Sequence, residues 1–315
     1  MSTIIVAVLA LAGVVLVSFA VDALRTAPEA PATLAWAPDL AIQYVRIDGV
    51  RLRYVRTGAG PPLVLLHTLR TQLDIFQKMI ATLAQSFTVI ALDYPGHGWS
   101  DIVAVDYTPD YFVDSVAKFL ESRRIEGATL AGVSIGGTIS LLLAARRHPA
   151  VARVVSINPY DYAKGLGIRR ANVVAWLVFS LARWPLIGET AMRLRNSLLE
   201  SWIMKGGVAD PRSLPQSFLR EAYAVGCRRG HYRAFLNLIR HARKWDDAHS
   251  EYGKISVPVL LIYGDQDWSR EPERRATLEK IAGARIETVA DGGHFLPLDR
   301  PQQLAGVIQR FAWPS

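Results

Sequence analysis

Ser134 stands in Gly132-Val133-Ser134-Ile135-Gly136-Gly137, between an apolar run at 128–131 and a helix-prone run at 138–148. Strand, G-x-S-x-G and helix, in that order, specify a turn too tight for bulk beside the serine. Such a turn stands the serine Oγ above the sheet and aims the next N–H, that of Ile135, where an oxyanion would form. A small-residue turn ahead of a helix is the bland reading of the same residues. A serine hydroxyl needs a base, and the base needs a carboxylate to fix its tautomer. Two later stretches supply those types. Gly264-Asp265-Gln266-Asp267 closes one apolar run, and Asp291-Gly292-Gly293-His294-Phe295 follows another. Serine, acid, histidine is the chain order for nucleophilic acyl transfer at the C-terminal edge of a parallel sheet. Asp265 and Asp267 compete for the acid role, and either could instead cap the helix that follows.

The elements that would carry these residues are legible in the apolar pattern. Runs at 43–47 and 51–56, joined at Asp48-Gly49, read as a β-hairpin. Buried strands are expected at 63–66, 88–92, 128–131, 151–157, 257–263 and 285–289, with helices at 73–85, 111–123, 138–148 and 272–281. Alternation of continuously apolar strands with helices implies an α/β fold with a mostly parallel central sheet flanked by helices. Residues 159–251 show no strand pattern and are rich in Arg and Trp. They read as a helical cap inserted ahead of the last two strands. The expected organisation is an anchor at 1–24, a Pro/Ala linker at 25–41, a core at 42–158 and 252–315, and the cap at 159–251.

Residues 3–21 carry no charge and are nearly all Val, Leu, Ile and Ala. About 20 such residues span a bilayer as a helix. A cleaved signal peptide is the rival reading, with Ser18-Phe19-Ala20 as its cleavage site. The n-region lacks Lys and Arg and the apolar run is long, which favours a single-pass N-terminal anchor and a membrane location. Pro28, Pro31 and Pro38 make the linker stiff and extended. The formal net charge of +8 suits an anionic partner. No run interleaves basic residues with stacking aromatics, which argues against nucleic acid and for a membrane surface.

The single cysteine, Cys227, excludes an intramolecular disulfide and a cysteine-based metal site. His97 reads as structural, and His148, His231, His241 and His249 as surface residues. No histidine spacing suggests a metal, and nothing calls for an organic cofactor.

Together, Leu65-Leu66-His67, Asp93-Tyr94-Pro95-Gly96-His97-Gly98-Trp99-Ser100, the Ser134 turn, Tyr263-Gly264-Asp265-Gln266-Asp267 and Gly292-Gly293-His294 resemble the α/β-hydrolase superfamily. The resemblance runs from about residue 43 to 311 and points to the capped branch of esterases, lipases, carbon–carbon bond hydrolases and haloperoxidase-like enzymes. It implies Ser134 as nucleophile, His294 as base, Asp267 as acid, and an oxyanion hole from the backbone N–H groups of Leu69 and Ile135. His67 and Thr68 are the expected substrate contacts. Thr68 departs from the family's usual glycine, so the hole is either reshaped or gains the Thr68 hydroxyl as a donor. The expected activity is hydrolysis of a carboxylic ester of an apolar or lipid-like small molecule. Carbon–carbon hydrolysis by the same residues, or a non-catalytic ligand-binding role, are the alternatives. Residues 171–182 are uncharged, with Trp176 and Phe179 among them. They read either as an interfacial helix dipping into the membrane or as a helix buried between cap and core.

Overall fold

Asp48 and Gly49 both take positive φ, 48° and 83°, and fold β1 (Ile42–Ile47) back on β2 (Val50–Thr57). β3 (Pro62–Leu66), β4 (Thr88–Leu92), β5 (Ala128–Val133), β6 (Val151–Ile157), β7 (Val259–Gly264) and β8 (Arg285–Val289) complete one sheet. Its order is β1-β2-β4-β3-β5-β6-β7-β8. β2 lies antiparallel to both neighbours, and every pair from β4 to β8 is parallel. β5 and β7 are buried along their whole length, as strands between two helical layers must be. These are the features of a computed structural model, which describes residues 3–312.

The helices are α1 (Thr3–Leu24), α2 (Ile80–Leu83), α3 (Pro109–Ser122), α4 (Ile135–Ala145), α5 (Val173–Leu181), α6 (Ile187–Arg193), α7 (Ser197–Lys205), α8 (Gln216–Gly226), α9 (His231–Arg240), α10 (Glu271–Glu279), α11 (Leu296–Asp299) and α12 (Pro301–Ala312). α4 is buried at every residue and is apolar all round for that reason. Helices α5 to α9 form the insertion between β6 and β7, and no strand occurs there. α5 packs Ala175, Val178 and Phe179 inward while Trp176 and Leu177 stay half exposed.

α1 is long and apolar enough to cross a membrane by length and composition, and its side chains are almost all exposed. Only its C-terminal end docks. Arg193 donates to Ser18 Oγ at 3.2 Å and Arg195 pairs with Asp22 at 3.1 Å, so α1 meets the insertion rather than the sheet.

Two stretches differ from the sequence reading. Residues 73–85 form a 3₁₀ turn at Leu73–Phe76 and the short α2, not one helix. The turn is held by tertiary bonds: Leu73 N–H donates to Asp93 Oδ1 at 2.8 Å, and Asp74 is claimed by Arg53. The Pro/Ala segment 25–41 is not a free spacer. Leu34 is buried in the core and Trp36 Nε1–H donates to Asp74 Oδ1 at 2.8 Å.

Arg53 is the hub of that region. Its guanidinium is wholly buried and meets Asp93 at 2.6 Å and Asp74 at 2.7 Å. Asp93 also accepts the Trp99 N–H at 2.9 Å, so one ion cluster ties β2, the turn at 73 and the loop after β4. Removing one partner of a buried cluster leaves uncompensated charge. Arg53→Met is therefore expected to cost about 3–5 kcal/mol, read from urea unfolding. A loss below about 1 kcal/mol, the scale of an exposed pair, would contradict this role.

Candidate active site

β5 runs into α4 through Ser134, whose backbone sits at φ 58°, ψ −118°, a region disfavoured for any residue with a Cβ. The surrounding packing leaves no alternative. A Cβ on Gly132 would lie 2.0 Å from the Gly136 carbonyl oxygen, and one on Gly136 would lie 2.2 Å from that of Leu66. The start of α4 is thus pressed against both β5 and the end of β3, and only glycine fits on either side. Ser134 N–H donates to the Ile157 carbonyl at 2.8 Å, which fixes the turn to β6.

The structure brings Ser134, His294 and Asp267 into one hydrogen-bonded line. Ser134 Oγ lies 2.8 Å from His294 Nε2, and His294 Nδ1 lies 2.5 Å from Asp267 Oδ1. With Nδ1–H donated to the carboxylate, Nε2 is free to accept the serine proton. Asp265 has a different duty: its Oδ1 accepts the Gly292 N–H at 3.1 Å and so ties the two loops together. Of the two aspartates left open on residue grounds, Asp267 is the one that reaches His294. Burial alone would push the Asp267 carboxyl up. His294 and the hydrogen bonds from Ser269 Oγ and N–H outweigh it and hold the carboxyl below its ordinary value.

Leu69 and Ile135 each keep a backbone N–H with no hydrogen-bond partner among the described residues. The Gly136 contact with Leu66 brings the β3 exit loop and the start of α4 together at that point. Thr68 Oγ1 is buried and unpartnered, so its hydroxyl is not spent on the fold. His67 corrects the sequence reading of a substrate contact. Nδ1–H bonds the Thr68 carbonyl at 2.7 Å and Nε2 accepts the Tyr94 N–H at 3.3 Å, so both ring nitrogens hold backbone. Burial pushes its pKa down to about 3, with Arg53 pushing the same way, and the ring stays neutral.

Three residues that the sequence did not single out complete the site. Asn158 Nδ2 donates to the carbonyls of Gly293 and His294, both at 3.1 Å, while its Oδ1 accepts the Gly264 N–H at 3.0 Å. Trp268 stacks on His294 at 3.7 Å between ring centroids and donates its indole N–H to the Gly206 carbonyl at 2.8 Å. Asp299 accepts the Gly293 N–H at 2.8 Å and the Ala209 N–H at 2.8 Å. A polar residue closing an apolar strand was the available signal for Asn158. Trp268 and Asp299 gave none, because each bridges the His294 loop to a backbone group of the insertion, Gly206 or Ala209, far away in sequence.

The insertion closes over this chemistry. Ser134, His294 and the Asp267 side chain are fully buried. Arg70, just past the β3 exit loop, pairs with Glu200 of α7 at 3.2 Å and meets His231 at 3.1 Å. His231 is thus buried, not at the surface as its basic surroundings suggested. Beside Arg70 lies a narrow apolar cavity of about 30 Å³ lined by Phe179, Leu199, Ile203, Met204 and Phe235. A larger and more open cavity of about 650 Å³ lies elsewhere, between 102–107 and 229–237, and contains none of the residues above.

A sequence profile described as the alpha/beta hydrolase fold matches residues 61–301. A putative non-heme haloperoxidase from a Mycobacterium phage is 35% identical, covering 84% of this chain and 92% of its own. A monoacylglycerol lipase from Bos taurus is 24% identical over 86% of this chain and 82% of its own. Among solved structures, a membrane phospholipase A described as a bacterial virulence factor covers 97% of this chain and 91% of its own, with TM-score 0.69 and 22% identity.

The depressed Asp267 carboxyl makes a stability prediction. Its contribution is complete above the unfolded-state value of about 3.9 and is lost as pH falls through the lower folded value. Melting temperature measured from neutral pH downward should therefore fall less steeply below about pH 4 in Asp267→Asn than in the unaltered chain. Parallel curves would contradict the assignment.

Proposed function

This chain belongs to the alpha/beta hydrolase fold family, and we propose that it is a membrane-anchored serine hydrolase that cleaves a carboxylic ester of an apolar, lipid-like substrate through an acyl-enzyme. The observation that carries the reading is the 2.8 Å and 2.5 Å line from Ser134 through His294 to Asp267. His294 Nε2 takes the Ser134 hydroxyl proton as Oγ attacks the ester carbonyl. The tetrahedral oxyanion is held by the N–H groups of Leu69 and Ile135, with the Thr68 hydroxyl in reach of the same loop. His294 then passes the proton to the leaving alcohol, and the acyl-enzyme forms. Water, deprotonated by His294, releases the acid and restores the serine. Asp267 holds the imidazole tautomer and offsets the imidazolium charge throughout.

Substrate class follows from the surroundings. The insertion acts as a cap at 159–251 over a His294 packed against Trp268, Phe295 and Tyr160, and α1 is the anchor. Trp176, Leu177, Trp184, Leu186, Leu198 and Trp202 are large apolar residues left exposed on the insertion, which α1 itself contacts. Trp is the residue enriched at membrane interfaces. An ester drawn from the bilayer would meet this face first. The names of two similar proteins, a monoacylglycerol lipase and a membrane phospholipase A, agree with that class.

A series of p-nitrophenyl esters from short to long acyl chains, with and without neutral detergent micelles, tests the reading. Turnover should rise with chain length and with micelles, and Ser134→Ala should lose it by on the order of 10⁴-fold or more. Turnover that survives in Ser134→Ala overturns the nucleophile. Turnover that depends on Ser134 but favours the shortest chain, in micelles or out of them, overturns the lipid-like substrate.

A further inference from the structure

Where α1 meets the insertion there is a cavity of about 350 Å³ lined by Asp22, Arg25, Arg195, Arg228, Arg229 and Tyr232. Four arginines line it against one aspartate. Asp22 is already paired with Arg195 at 3.1 Å. Arg25 bonds only uncharged acceptors: Tyr223 OH at 2.9 Å, the carbonyls of Arg193 and Arg195 at 3.1 and 3.0 Å, and Cys227 Sγ at 3.4 Å. Its Nε is buried and without a partner. Arg228 donates to the carbonyls of Gly98 and Ser100, and Arg229 is exposed and forms no ion pair among the described residues. The walls of the cavity therefore carry more positive charge than the chain neutralises. Burial lowers Arg195, and Arg25 beside it lowers it further, the direction expected where cations outnumber their partners.

Depth supplies the second argument. The apolar stretch of α1 is about as long as the hydrocarbon core is thick, at 1.5 Å rise per residue. If it spans, Asp22 and Arg25 emerge at the depth of the lipid phosphates. Arginine forks suit phosphate oxygens in geometry and in charge.

We propose that this cavity binds the phosphate of an anionic glycerophospholipid in the leaflet where α1 ends. The inference rests on the anchor reading of α1 given above. Arg195, Arg228 and Arg229 belong to the insertion, so a bound headgroup ties the cap, and not α1 alone, to the bilayer surface.

The test is calorimetric titration of the full-length chain in neutral maltoside micelles. The probes are ether-linked short-chain phosphatidylglycerol, which no esterase can cleave, the matching phosphatidylcholine, and inorganic phosphate. Phosphatidylglycerol should bind saturably and at least tenfold more tightly than phosphatidylcholine. Arg25→Gln and Arg229→Gln should each weaken it several-fold, and Arg25→Lys should recover part of the loss. Arg229 is exposed, so Arg229→Gln should melt with the unaltered chain, which separates lost binding from lost fold. Equal affinity for the two lipids, or variants that bind as the unaltered chain does, overturns the site. Inorganic phosphate bound as tightly as phosphatidylglycerol, with the same sensitivity to the variants, overturns the lipid assignment in favour of a soluble phosphate compound. Alkaline extraction of membranes judges the anchor separately. A chain released by alkali overturns the anchor, whereas a retained chain with no headgroup preference overturns only the site.

Discussion

The close approach of α4 to the ends of β3 and β5 is the constraint on which the site depends. With the Gly136 carbonyl 2.0 Å from where a Gly132 Cβ would be, the chain cannot relax Ser134 out of its positive φ without parting strand from helix. The strain at one residue is thus held by the packing of two whole elements, which is how disfavoured backbone persists in a folded chain. The same contact sets the Ile135 N–H beside the β3 exit loop. His67 and Tyr94 keep that loop in place through neutral hydrogen bonds that burial protects from protonation.

Histidine placement depends on a different set of contacts, and most of them cross to the insertion. Asn158 ties the His294 loop to the ends of β6 and β7. Trp268 lies flat on the imidazole and is anchored at Gly206. Asp299 bridges Gly293 and Ala209, and Phe295 N–H donates to the Gly207 carbonyl at 2.6 Å. Arg70, just past the β3 exit loop, pairs with Glu200. Residues 200–209 therefore touch both halves of the candidate machinery. A movement of the insertion would loosen the imidazole and the β3 exit loop together, and its return would restore both.

Much of this was legible in the sequence because it is local. Gly132 and Gly136 are demanded by a turn of five residues, and the strands between two helical layers show as unbroken apolar runs. What could not be read depends on distant partners. The choice between Asp265 and Asp267 is one of direction: one carboxylate turns to the Gly292 N–H and the other to His294. The helix expected at 73–85 yields to Asp93 and Arg53, which lie far along the chain. The prolines at 28, 31 and 38 stiffen the linker, but Leu34 and Trp36 bring it down onto the core. His231 sits among arginines in sequence, yet it is buried and meets Arg70, which lies far along the chain.

The central claim is that Ser134 is a nucleophile activated by His294. Covalent capture tests it without choosing a substrate. The full-length chain in micelles is treated with a fluorophosphonate, digested, and the modified peptide located by mass spectrometry. The account predicts one phosphonyl adduct, on Ser134, formed far more slowly in His294→Ala. An unlabelled Ser134, an adduct on another residue alone, or labelling indifferent to His294 would contradict it.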